Sequence, residues 1–183
     1  MMIWLVTDKG DQDARRIADR HYSRQTPGAP QFCRNGQNFV LVTRALDALW
    51  VTHRPASGKA TRTDGLDAWE CTLFRREGGA HRASDMIREA VLATVAFWGP
   101  IPPDGFLTYV DPEQVGTQVP GWCFRRAGWK HRGESRDGKP RLFAPRPKSV
   151  PPRAAWSWRR ERGGKLRRDV FGEAQLGLFV TEL

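Results

Sequence analysis

Residues 83–98 constrain the fold more than any other stretch. Apolar side chains recur at Ala83, Met86, Ile87, Ala90, Val91, Val95 and Trp98, with Thr94 the one polar member of the stripe. That three- and four-residue spacing predicts an amphipathic helix with one face to bury. The residues before it narrow the choice further. "LDAWECTLF" alternates like a strand, with Trp69, Cys71 and Leu73 on one side, and Arg75-Arg76-Glu77-Gly78-Gly79-Ala80 joins it to the helix. Strand, glycine turn and helix together aim backbone N–H groups at an oxyanion. The same arrangement is also an ordinary way to turn a corner, and the hexapeptide alone leaves both readings open. It is neither a Gly-Lys-Ser/Thr phosphate loop nor a G-x-G-x-x-G fingerprint.

Around this unit the chain reads as alternating strands and helices. Residues 3–7 suit a strand, and residues 11–22 place Ala14, Ile17, Ala18, His21 and Tyr22 on one helical face. "NFVLVTR" and "ALWVTHRP" predict a hairpin whose turn type the residues leave open. "FLTYVD" is a further strand, "WCFRRAG" a short helix capped by Gly128, and "WKHRGES" and "PRLFAP" two last strands. The expected order is β-α-β-β-β-α-β-α-β-β. The fold class is therefore α/β (α+β): a mixed, mostly antiparallel central sheet flanked by helices. We expect a single domain over residues 1–145, followed by a basic, tryptophan-containing extension over residues 146–183.

Charge and cysteine content limit the function classes. The 183-residue chain carries a formal net charge of +10, which favours a polyanionic partner, nucleic acid first. Three scattered cysteines give no disulfide framework or metal knuckle. No run approaches membrane-spanning length, so the expectation is a cytoplasmic protein without a membrane partner. "RPKSVPPRAAWSWRRERGGKLRR" interleaves Lys148, Arg153, Arg159 and Arg160 with Trp156 and Trp158. Cations there suit phosphate contacts and indoles suit base stacking; the plainer reading is a solvated tail. Arg24 and Arg34 lie in the loop "SRQTPGAPQFCRNGQ", which is the expected cover of an acceptor site. His21, Tyr22, Tyr109 and Asp111 are candidate site residues. Asp111 closes a strand before Pro112, which is also how a turn begins. His21 or Asp111 could take a proton from an amine, and Tyr22, Tyr109 or Ser84 could give one to a leaving group. Metal binding lacks any supporting ligand spacing.

The succession of strand, Arg-x-x-Gly-x-Ala turn, long helix, strand, short helix and "GWCFRRAGW" (121–129) resembles the GCN5-related N-acetyltransferase superfamily. That resemblance implies an acyltransferase taking acetyl-CoA or another acyl-CoA. Its pyrophosphate would be held at Arg75, Arg76, Gly78, Gly79, Ala80 and His81. More narrowly, "DRHYSR", "WECTLFR" followed by "ASDMIREAV", and "LTYVDPEQVG" resemble the phage Mom proteins. The implied activity is elaboration of the adenine N6 amine in double-stranded DNA, a bacteriophage protection against restriction in the host cytoplasm. The target base would be flipped from the duplex. His21, Tyr22, Ser84 and Asp111 stand at the matching positions. Thr72-Leu73 departs from the Asn-Arg of the Mom pattern.

Overall fold

In a computed structural model of the chain, residues 3–55, 62–116, 118–148 and 168–169 are described. The strands are β1 (Trp4–Thr7), β2 (Gln37–Thr43), β3 (Ala48–Arg54), β4 (Trp69–Arg76), β5 (Phe106–Tyr109), β6 (Lys130–Glu134), β7 (Pro140–Phe143) and β8 (Arg168–Asp169). Helix α1 (Gln12–Asp19) follows β1, α2 (Ala83–Trp98) follows β4, and α3 (Trp122–Arg126) follows β5. This is the expected order with one addition. The two-residue β8 comes from the basic extension and pairs antiparallel with β1 at the edge of the sheet.

The strands form an open mixed sheet in the order β6-β7-β5-β4-β3-β2-β1-β8. Every pairing is antiparallel except β4 with β5. That parallel pair is the consequence of α2, a crossover long enough to return the chain to the same end of the sheet. Among the described residues no helix is long and apolar enough to cross a membrane.

The two faces of the sheet carry separate cores. On one, α2 buries Met86, Ile87, Ala90, Val91, Val95 and also Leu92, Ala93 and Ala96, so it is covered on more than the expected stripe. Thr94 is sunk there too, its hydroxyl donating to the Ala90 carbonyl at 2.8 Å. The centre of this core is aromatic: the Trp50 ring meets Phe74, Phe106, Phe124 and Trp129. On the other face α1 packs Ala14, Ile17 and Ala18 against Leu5, Val40, Val42, Leu49, Val51 and Leu73. Helix α1 starts where the Asp11 carboxylate accepts from the Asp13 and Ala14 N–H groups.

Two local expectations fail for physical reasons. Helix α1 ends at Asp19, not at Tyr22. The Ser23 N–H turns back to the His21 ring at 3.2 Å and the Arg24 N–H to the His21 carbonyl at 3.0 Å, which closes a turn instead of another helical step. In β4, Leu73 does not share a side with Trp69 and Cys71. The register jumps from Val51↔Leu73 to Thr52↔Cys71, so Thr72 is the extra residue of a β-bulge. Trp69 and Cys71 face α2, whereas Leu73 faces α1.

Candidate functional site

The bulge sits where β4 and β5 separate. Their pairing covers only Trp69–Cys71 against Phe106–Thr108, although β4 runs on to Arg76. Beyond that point the strands stop sharing hydrogen bonds and a cleft of about 710 Å³ opens between them. Thr72, Leu73 and Phe74 line it from β4, and Tyr109, Val110 and Asp111 from the end of β5. His21, Tyr22 and Ser23 enter from the turn after α1, Trp122 and Cys123 from α3, and Ser135, Arg136, Asp137 and Lys139 from the β6–β7 turn.

At one wall the His21 and Tyr22 rings stack with centroids 4.3 Å apart. His21 Nδ1 lies 2.8 Å from the Ser23 hydroxyl and accepts from the Ser23 N–H, while the Phe74 carbonyl engages the ring as well. Burial, reinforced by the Arg75 guanidinium and only partly opposed by Phe74, brings the imidazole down to about 4. His21 is therefore neutral at physiological pH. The Tyr22 hydroxyl accepts from the Asp111 N–H at 3.5 Å, which leaves its own proton uncommitted. Partial desolvation within the cleft raises this phenol. Asp111 pairs with Lys139 at 3.0 Å and accepts from the Glu113 N–H at 3.1 Å. The Lys139 bond holds its carboxyl below the usual carboxylate range.

A polar network also lines the cleft. Arg62 forks onto Asp64 at 2.6 Å and reaches Glu70 at 2.6 Å; Arg34 meets the same Glu70 at 3.0 Å. The Tyr109 hydroxyl donates to Asp64 at 2.6 Å, and the Arg141 guanidinium lies over the Tyr109 ring at 5.5 Å. Although burial opposes it, bonding to Arg62 and Tyr109 keeps Asp64 ionised to unusually low pH. The two tyrosines thus differ: the Tyr109 proton is committed to Asp64, which leaves its oxygen to act only as an acceptor. Cys71 and Cys123 also line the cleft, but burial pushes both thiols up, away from the thiolate form a nucleophile needs.

The glycine turn follows directly from β4. Arg75 bonds Glu77 at 2.6 Å, and Arg20 grips Glu77 through two contacts of 2.6 Å. Those arginines bring Glu77 down to about 2. Arg76 holds the turn from beneath, donating to the Gly79 carbonyl at 2.8 Å and the His81 carbonyl at 3.0 Å. Gly79 has φ +88°, and a Cβ there would come 2.2 Å from Asp47 Oδ2. The residue is glycine because both its backbone and its space demand it. Ala80 and His81 complete the turn, and α2 begins at Ala83 with no side chain capping it. The Asp85 N–H already donates to the Arg82 carbonyl at 3.1 Å, which leaves the N–H groups of Ala83 and Ser84 for an anion. Four arginines (Arg20, Arg75, Arg76, Arg82) against three carboxylates (Asp47, Glu77, Asp85) leave the region net positive.

His21, Tyr22, Tyr109 and Asp111 thus share one cleft, as does Arg34. Ser84 is not among the lining residues; it occupies the second position of α2, beside the glycine turn. Arg24 is engaged in holding its own loop, bonded to Asp19 at 2.7 Å and to the Ala29 and Gln31 carbonyls. Lys148 is exposed. Arg153, Trp156, Trp158, Arg159 and Arg160 lie outside the described residues. Among the described residues no cluster of three or more His, Cys, Asp or Glu is arranged to hold a metal ion. Sequence reasoning passed over Arg62, Asp64, Glu70, Lys139 and Trp122. The first four are ordinary surface types in sequence, and nothing local marks Trp122 as exposed where the other described tryptophans are buried or packed on the core.

Comparison with protein-family models, with curated proteins and with solved structures gives no match to this chain.

Proposed function

We propose that the cleft transfers an acyl group from a CoA thioester to an exocyclic amine of a nucleobase in DNA, adenine N6 first. The observation that carries this reading is the gathering of Tyr22, Tyr109 and Asp111 in one cleft, beside a net-positive glycine turn that leads into an uncapped helix. The turn residues Gly78, Gly79, Ala80 and His81, with the α2 N-terminus, would hold the donor's pyrophosphate. Bound there, the thioester supplies an electrophilic carbonyl. The amine nitrogen attacks that carbon, a C–N bond forms and the C–S bond breaks. Asp111, ionised at neutral pH and carrying further lone pairs, takes the amine proton. Tyr22, whose proton is uncommitted, gives one to the departing thiolate. His21 has both ring nitrogens engaged and acts by positioning Tyr22 through their stacked rings.

A second reading rests on the acidic residues of the same cleft. Asp64, Glu70, Asp111 and Asp137 all line it and would suit a cationic small-molecule or peptide amine. Nucleoside mass spectrometry of DNA from cells expressing the protein decides between them. The expected result is an acylated adenine that falls about a hundredfold or more with Asp111→Asn or Tyr22→Phe. Unmodified DNA together with an acylated polyamine or peptide would establish the second reading. Saturating acetyl-CoA, at about 100 times its Kd, should add about 2.7 kcal/mol to stability. No thermal shift at that level would remove the donor from the proposal.

A further inference from the structure

Among the described residues the tryptophans are sunk with one exception. Trp4, Trp50, Trp69 and Trp129 are buried and Trp98 packs against the same core, yet Trp122 is 56 % exposed. Large apolar groups exposed among the described residues are only three, Tyr22, Val119 and Trp122, and two of these line the same cleft. More than half of this indole stays exposed where burial would be favourable, so its position needs a cause.

The backbone fixes that position. Gly121 has φ +73°, and a Cβ on it would lie 2.4 Å from Leu142 Cδ1 and 3.1 Å from Val110 Cγ2. The glycine lets the chain press against β7 and the end of β5, and Trp122 follows as the first residue of α3. Arg126, one turn on and outside the cleft lining, sets its guanidinium 5.8 Å from the indole centroid. The ring is thus braced by a cation and opens on a cavity that also presents Asp111, Lys139 and the acceptor oxygen of Tyr109. An apolar plate with a few polar groups in a cavity of about 710 Å³ fits a flat, hydrogen-bonding ring.

We propose that Trp122 is the platform on which a nucleobase of single-stranded or base-flipped nucleic acid stacks in this cleft. The assignment rests on the proposed function for the identity of the acceptor, but not on the donor. Stacking on an indole tolerates any base, so the platform supplies affinity while the polar groups choose the edge. Since an adenine is present in CoA as well, the source of the ring must be resolved by experiment.

The test is binding of a fluorescein-labelled deoxyadenosine oligonucleotide, followed by anisotropy, to the full chain and to Trp122→Leu and Trp122→Phe. Trp122→Leu should weaken binding about tenfold or more, and Trp122→Phe should restore most of it. Acetyl-CoA should stabilise wild type and Trp122→Leu equally in a thermal-shift measurement. Equal oligonucleotide affinity for wild type and Trp122→Leu would overturn the platform. So would an oligonucleotide that fails to bind wild type, or a loss confined to acetyl-CoA. Retained Trp122 dependence without any acetyl-CoA shift would leave the platform standing and remove the acyl-CoA donor instead.

Discussion

His21 shows how much a single environment changes a residue's options. An imidazole brought to about 4 is neutral across the physiological range, and its unfolded counterpart titrates at 6.5. The sign follows from proton counting. Between pH 4 and 6.5 the unfolded chain binds more protons than the folded one, so stability rises with pH across that window. The penalty is fully present below pH 4 and gone above 6.5. Urea unfolding at pH 5 and pH 7 should therefore show a smaller difference for His21→Gln than for wild type. An unchanged difference would mean that His21 is solvated and free to titrate. His21 and Tyr22 line the same cleft as Asp111, but from a turn after α1 and not from the helical face their spacing suggests. Composition and spacing show which side chains are present; which donors and acceptors are already engaged depends on partners such as Ser23 and Phe74 that only the fold brings near.

At the scale of elements, Gly121 joins fold to site, because its close approach to Leu142 sets where α3 and Trp122 begin. Substituting alanine would force a positive φ on a residue with a Cβ and drive that carbon into Leu142. A loss of about 2 kcal/mol or more in denaturant unfolding is expected, with weakened oligonucleotide binding from a shifted Trp122. Gly133 is also at positive φ (+75°), but nothing lies within 4 Å of where its Cβ would stand. It separates backbone strain from collision, so Gly133→Ala should cost clearly less. Element order was readable because periodicity and turn residues are local signals. The α2 stripe and the Gly128 cap appear where spacing put them. The bulge at Thr72 was not readable, since alternation through Trp69, Cys71 and Leu73 is unbroken in sequence. Only pairing with β3, which needs Val51 opposite Leu73 on the α1 face, makes one residue redundant. That redundancy lies where β4 leaves β5, so the least legible feature of the sheet helps shape the cleft.

For the whole molecule, the net charge of +10 makes a quantitative statement about a DNA partner. Each phosphate neutralised releases counterions, and the affinity then falls with salt in proportion to the number of contacts. About five contacts give a slope near −4.5 in log K against log salt, or roughly a 500-fold loss between 50 and 200 mM. Much of the charge is already spent inside the protein: Arg20, Arg24, Arg62 and Arg75 pair with carboxylates. Strand β6 is different. It is exposed along its length, carries Lys130 and Arg132, and leads into the turn that lines the cleft. Reversing both charges (Lys130→Glu, Arg132→Glu) should weaken DNA binding at low salt and flatten the slope by about two contacts' worth. Acetyl-CoA stabilisation should be unaffected, because the glycine turn follows β4 on the far side of β5 and β7 from β6. A slope unchanged by the reversal would move the phosphate path off this edge of the sheet, and a slope near zero in the unaltered protein would rule out DNA as the polyanion its charge attracts.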